Sequence, residues 1–194
     1  GQVVSFRSDS SRLDCERLVG ALNSICSTDL RVQAVTAVDD DFNARFSATE
    51  RMYHYFILNA PQADPLLADL EWHIPEPLDL DAMNQAASLF LGEHDFTSFC
   101  RRPKGQPESL LVRRIHSAKW VAHNRERIYF EISANAFCHQ MVRSLTGFCV
   151  AVGSGKCDAE TFEAVLRARD RSAAPPIAPP HGLVLKHVTY RKTD

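Results

Sequence analysis

Apolar side chains at Phe137, Met141, Leu145, Phe148 and Val152 recur at spacings of four, four, three and four. That period places them on one side of a helix expected over 134–152. Cys138, Val142, Cys149 and Val150 make much of the remaining surface apolar as well, and a helix that is apolar nearly all round is buried. The same period returns more weakly elsewhere. Leu18, Leu22 and Ile25, after Ser11 or Asp14, mark one amphipathic helix. Met83, Ala86, Ala87, Phe90 and Leu91, capped by Asp79 and stopped by Gly92, mark a second, and Phe162, Val165 and Leu166 after Asp158 mark a short third.

Alternating or β-rich stretches fall between these helices. The run 52–58 is dense in aromatic and branched residues, with Tyr53, Tyr55 and Ile57 sharing one face. Strands are also expected at 2–6, 30–38, 113–122, 127–134 and 183–190, the third and fourth of these joined by a four-residue hairpin at 123–126. From Thr49 onward the order is strand, helix, strand, strand, helix, helix, strand. That order suits an α+β fold, an antiparallel β-sheet with helices packed on one face.

Composition narrows the class. With 45% hydrophobic and 24% charged residues in 194, the chain has material for a sizeable core. A formal charge of -2 excludes a globally basic nucleic-acid binder, so any such affinity must come from local clusters. One cluster exists: Arg101, Arg102, Lys104, Arg113 and Arg114 face the single acid Glu108. The six cysteines include no C-x-x-C pair and the eight histidines no H-E-x-x-H, so reduced cysteines and no metal site are expected. The glycines around Lys156 lack the spacing of a phosphate loop and follow a helix, which makes them a helix stop. No apolar run is long enough to span a bilayer, and a cytoplasmic location is expected.

Arg143 sits in the most apolar helix, with His139 one turn before it. A guanidinium stays charged, so burying it calls for an anion or a hydrogen-bonded path to the surface. Two readings stand: Arg143 pairs or snorkels for structure alone, or it positions a catalytic carboxylate or a phosphate.

Five stretches decide between classes. They are G-Q-V-V-S-F at 1–6, D-F-N-A-R-F-S-A-T-E-R-M-Y-H-Y at 41–55, L-G-E-H-D-F-T-S-F at 91–99, N-A-F-C-H-Q-M-V-R at 135–143 and G-L-V-L at 182–185. Together, and in this order, they resemble the bacterial tRNA pseudouridine synthase A family. The resemblance implies a pseudouridine-synthase-like fold of two related α/β domains, with 1–48 a remnant of the first and its connector, and 49–194 the second. It implies a homodimer that isomerises uridine to pseudouridine in the anticodon stem-loop of tRNA, without a cofactor.

The resemblance also assigns residues. Tyr53 falls on the family's active-site tyrosine, and Arg143 on the arginine that pairs with the catalytic aspartate. Leu183 and Leu185 would pack near the base. Arg45, Arg101, Arg102, Lys104 and His139 are the candidate RNA contacts, with a solvated loop and a structural histidine as the alternatives. The family's R-T-D-A-G-V-H motif, which carries the aspartate, is not in this sequence. The chain is therefore expected to lack upstream sequence and to be inactive alone, and a non-catalytic RNA-binding or dimer-forming module is the competing reading.

Overall fold

The computed structural model describes residues 1–9, 13–101 and 111–191. It separates into two compact units, Val3–Ala48 and a second made of Gly1–Gln2 with Thr49–Asp194. In the smaller unit the one regular element among the described residues is α1 (Cys15–Ile25), whose first turn is closed by the Asp14 carboxylate accepting from the backbone N–H of Glu16 and Arg17. The strands expected at 2–6 and 30–38 do not form; both stretches are irregular among the described residues. Asn23 holds the second of them through a two-way pairing with the Val32 backbone, at 2.8 and 2.9 Å.

The larger unit is built on a six-stranded sheet. Its strands are β1 (Ala48–Asn59), β2 (Trp72–Ile74), β3 (Gly92–Asp95), β4 (Val112–Ala122), β5 (Arg127–Ala134) and β6 (Leu183–Tyr190). The order is β2-β1-β5-β4-β3, with β6 also paired to β1. The pairings β1–β5, β4–β5 and β3–β4 are antiparallel, whereas β2 runs parallel to β1. The hairpin between β4 and β5 closes through Asn124, whose side chain accepts from the backbone N–H of Glu126 and Arg127.

Three α-helices among the described residues complete this unit: α2 (Leu80–Ser88), α3 (Met141–Gly153) and α4 (Thr161–Ala168). One face of the sheet, carrying Tyr55, Ile57, Trp120, Phe130 and Ile132, joins α2 and α3 in a single core. Asn84 of α2 fastens the helix to β4 by accepting from the Trp120 N–H at 2.8 Å and donating to its carbonyl at 3.3 Å. Five phenylalanines (90, 96, 99, 148 and 162) meet below α3 with ring centroids 5.0 to 6.5 Å apart. Aromatic edges meeting faces at such distances add to what burial alone supplies. No helix among the described residues is long and apolar enough to cross a membrane.

The expected helix over 134–152 is the main departure. Residue 134 ends β5, and α3 begins only at Met141. Asn135 breaks the run by accepting from the N–H groups of Arg114 and Ala136, at 3.0 and 2.8 Å. Gln140 then adopts the left-handed conformation, φ 69° and ψ 0°, directly before the helix. An apolar pattern cannot register either event, because Phe137 and Cys138 are apolar for a reason other than helical packing. They join the edge of the core from a loop.

A second difference concerns the cysteines. Cys15, Cys26, Cys149 and Cys157 are free, and burial pushes the Cys149 thiol up to about 12, which makes it inert. Cys100 and Cys138, however, are joined in a disulfide with Cα atoms 5.8 Å apart. Their sequence separation of 38 hides the pairing from any reading of local spacing.

Candidate active site

The loop 135–140 and the start of α3 form one wall of a pocket of about 390 Å³. Tyr53 of β1 and Leu183 of β6 border it from the sheet, Pro180 from the proline-rich connector 173–180 between α4 and β6, and Cys138, His139 and Arg143 from the wall itself. The volume lies within the roughly 300 to 1,000 Å³ usual for small-ligand sites.

Tyr53 is half-buried, opposite Ile132 in the β1–β5 register. Phe137 stands edge-on to it, with centroids 5.2 Å apart and planes at 89°. Burial pushes the Tyr53 hydroxyl above its ordinary value, with Arg51 opposing in part, so the ring is a neutral, apolar platform across the physiological range.

Arg143, in the first turn of α3, is also half-buried. Its Nε donates to the Ala178 carbonyl at 2.7 Å, and the Ala178 N–H returns a bond to the Arg143 carbonyl at 3.1 Å. The neighbouring Tyr55 hydroxyl donates to the Pro179 carbonyl at 2.7 Å, and burial pushes that hydroxyl strongly up despite Arg143 nearby. Gly147 lets the connector lie directly on α3, because a β-carbon there would collide with the Pro176 carbonyl. Gly182 plays the same part at β1, where a β-carbon would come within 2.7 Å of the Phe56 carbonyl. The connector is thus strapped over the helix by Arg143 and Tyr55, and it carries Pro180 to the pocket rim.

Among the described residues no carboxylate pairs with Arg143. One edge of its guanidinium is held by Ala178, which leaves the remaining N–H donors without a described partner and fixes the plane in which they could grip an anion.

The other candidates are placed as follows. His139 borders the pocket but is exposed and precedes α3, so it does not share a helix face with Arg143. Its carbonyl accepts from the Arg101 N–H at 2.9 Å, which brings the start of the basic segment next to the pocket wall. Leu185 lies two residues beyond Leu183 on β6, half-buried and outside the pocket lining. Arg45 belongs to the Val3–Ala48 unit, its guanidinium 5.4 Å from the Phe46 ring. Arg102 and Lys104 lie outside the described residues.

Phe137 and Gln140 also border the pocket, although the sequence marks Phe137 only as part of an apolar stripe and does not mark Gln140. The helical period that took in Phe137 hid its place in the loop before α3. A left-handed glutamine has no compositional signature. No group of three His, Cys, Asp or Glu side chains among the described residues could hold a metal ion.

The pocket thus pairs a half-buried aromatic ring, Tyr53, with an arginine tethered at one edge. Residues 86–191 match the family model described as tRNA pseudouridine synthase. The tRNA pseudouridine synthase A of Moorella thermoacetica is 38% identical over 190 residues, which span 98% of this chain and 76% of that protein. The protein of that name from Burkholderia thailandensis is 40% identical over 98% of this chain and 69% of its own length. The one from Thermotoga maritima is 36% identical over 98% and 76%. The chain belongs to the tRNA pseudouridine synthase family, isomerases that act on tRNA.

Proposed function

We propose that the pocket between Tyr53 and Arg143 receives a uridine turned out of the anticodon stem-loop of tRNA and is where its isomerisation takes place. One observation carries the reading: Tyr53, Leu183 and Arg143, from β1, β6 and α3, border a single cavity. A base must leave its stack to be detached and turned, and an aromatic face with apolar neighbours is what an unstacked base finds favourable.

In the reaction the N1–C1′ bond breaks, the base rotates, and a C5–C1′ bond forms. N1 gains a proton and C5 loses one to solvent, so atoms balance without a cofactor. The chemistry calls for a carboxylate as nucleophile or base. Arg143 is the group that would hold it ionised, since an adjacent fixed cation lowers a carboxyl pKa. Leu183, with Leu185 further along β6, supplies apolar packing. Arg101, Arg102 and Lys104, with His139 and Arg45, would contact the RNA backbone. A homodimer and a cytoplasmic site of action belong to the same reading.

Tritium release from tRNA carrying C5-tritiated uridine tests it. Tyr53→Ala in the intact enzyme is expected to abolish release while tRNA binding stays within a few-fold of wild type. Undiminished release would overturn the reading. Binding by the unaltered enzyme with no release at all would favour a non-catalytic RNA-binding module.

A further inference from the structure

Gln140 is a residue of the pocket wall whose backbone serves the turn that opens α3, closed by the Met141 N–H on the Cys138 carbonyl at 3.1 Å, but whose side chain has no part in that turn. Its φ of 69° is a conformation that glycine enters freely and that a residue with a β-carbon enters at a cost. It is the residue before the first turn of α3, where a short polar side chain normally closes back onto a free N–H. Gln140 makes no such bond, and its carboxamide has no hydrogen-bond partner among the described residues. The residue is half-buried and borders the same cavity as Tyr53 and Arg143.

The geometry points to Gln140 as the residue that reads the polar edge of the target uracil, an assignment that rests on the pocket being the uridine site. A carboxamide presents a donor and an acceptor side by side. The uracil edge presents the N3 proton beside the 4-oxygen, the complementary pair. With the base lying against Tyr53, a glutamine at the rim can make both bonds at once. Such a contact also fixes the plane and rotation of the base, and these are the coordinates the reaction changes. The turn from Cys138 to Met141 sets the left-handed backbone at this place; glycine would fit it more freely and would remove the contact.

The experiment compares two stem-loop RNAs, one with uridine at the target position and one with 2-pyrimidinone riboside, which is no larger but lacks both the N3 proton and the 4-oxygen. The wild-type full chain is expected to bind the uridine RNA about tenfold to a hundredfold more tightly, the range of a two-bond side-chain contact to a base edge. In Gln140→Gly the two RNAs are expected to bind within about twofold of one another, the usual error of additivity, while thermal stability is unchanged or higher. Gln140→Asn, which tolerates the left-handed backbone and is one methylene shorter, is expected to show the same collapse and guards against misfolding of the glycine variant.

A wild-type chain that does not distinguish the two RNAs would overturn the assignment, as would variants that keep the full wild-type ratio. If the assignment alone is wrong, Tyr53→Ala still loses tritium release. If the pocket is not the uridine site, Tyr53→Ala releases tritium normally.

Discussion

Phe137 meets the ring of Tyr53 edge-on, at 5.2 Å between centroids and 89° between planes. The two residues come from different elements, a loop and the strand β1, so their packing couples the pocket wall to the sheet. Edge-to-face pairs contribute about 0.5 to 1.5 kcal/mol beyond burial. Phe137→Leu keeps the apolar volume and removes the ring quadrupole. It is expected to lower kcat/KM by about two- to tenfold, the same energy converted to a ratio, with Phe137→Tyr near wild type. Steady-state kinetics of both variants check it; equal rates for Leu and Phe would mean that Tyr53 is held by β1 alone.

Arg143 is tested by a change that preserves its charge. In Arg143→Lys an ammonium can still reach the Ala178 carbonyl, so the strap over α3 survives and the melting temperature is expected to move by only a few degrees. Lysine cannot offer the planar, two-toothed grip on a carboxylate. Activity is expected to fall by about 10²-fold, the scale of a slight misplacement of reacting groups. Near wild-type kinetics would show that the tether to Ala178 is the whole role of Arg143.

Long periodic segments were legible in the sequence, and features fixed by tertiary partners were not. The stripe Met83, Ala86, Ala87 and the strand containing Tyr53 stand where their patterns placed them, because each pattern is a record of burial; the helix, however, ends at Ser88 rather than at Gly92, Leu91 is exposed, and Gly92 opens β3. β2 and β3 have three and four residues, too few for any periodicity, and they exist because β1 and β4 offer edges to pair with. The stretches 2–6 and 30–38 have β-type composition but no neighbour to pair with among the described residues of their own unit. At the pocket, the family motifs singled out Tyr53, Arg143 and Leu183, but not Phe137 or Gln140. Their positions depend on Asn135 turning the chain before α3 starts.

His54 supplies a pH dependence whose sign is determined. It is 8% exposed and stacked on Tyr129, with Nε2 3.1 Å from the Glu131 carboxylate. Burial pushes its imidazole below the ordinary 6.5, and Glu131 only partly opposes this. For Glu131, burial raises the carboxyl, but Lys119 and His54 more than offset it, so it stays ionised through this window. Below pH 6.5 the unfolded chain binds a proton at His54 that the folded chain resists, so stability falls on acidification until the lower folded value is reached. Urea unfolding at about pH 7.5 and about pH 5.5 is expected to show this loss, and His54→Gln to reduce it. An identical pH slope in the variant would assign the effect elsewhere.

The basic segment after Cys100 makes a prediction about salt. Neutralising Arg101, Arg102 and Lys104 together is expected to weaken tRNA binding and flatten its dependence on salt. Every phosphate that a side chain no longer neutralises lowers the magnitude of the log-log slope by about 0.7 to 0.9. Titrations at several salt concentrations measure it, and an unchanged slope would mean that the segment is merely solvated.

The two helices α1 and α3 should differ most in how readily they open. Eleven of the thirteen residues of α3 are buried, among them Met141, Leu145 and Phe148 with no exposed surface. Opening it exposes core on every side. In α1 no residue is buried, and Ile25 at its end is 80% exposed. An eleven-residue helix without tertiary cover is marginal in water, and the Asp14 cap contributes only about 1 kcal/mol against that. The Asn23 bonds to Val32 add a local tie, but Val4, Phe6, Leu30 and Val38 of the same unit remain more than half exposed. Backbone amides that open locally exchange according to that local free energy rather than the global one. Amides of residues 3–48 are therefore expected to exchange with solvent deuterium much faster than those of α3. Equal or greater protection in 3–48, measured on a monomeric sample, would refute this and show that the small unit closes a core of its own.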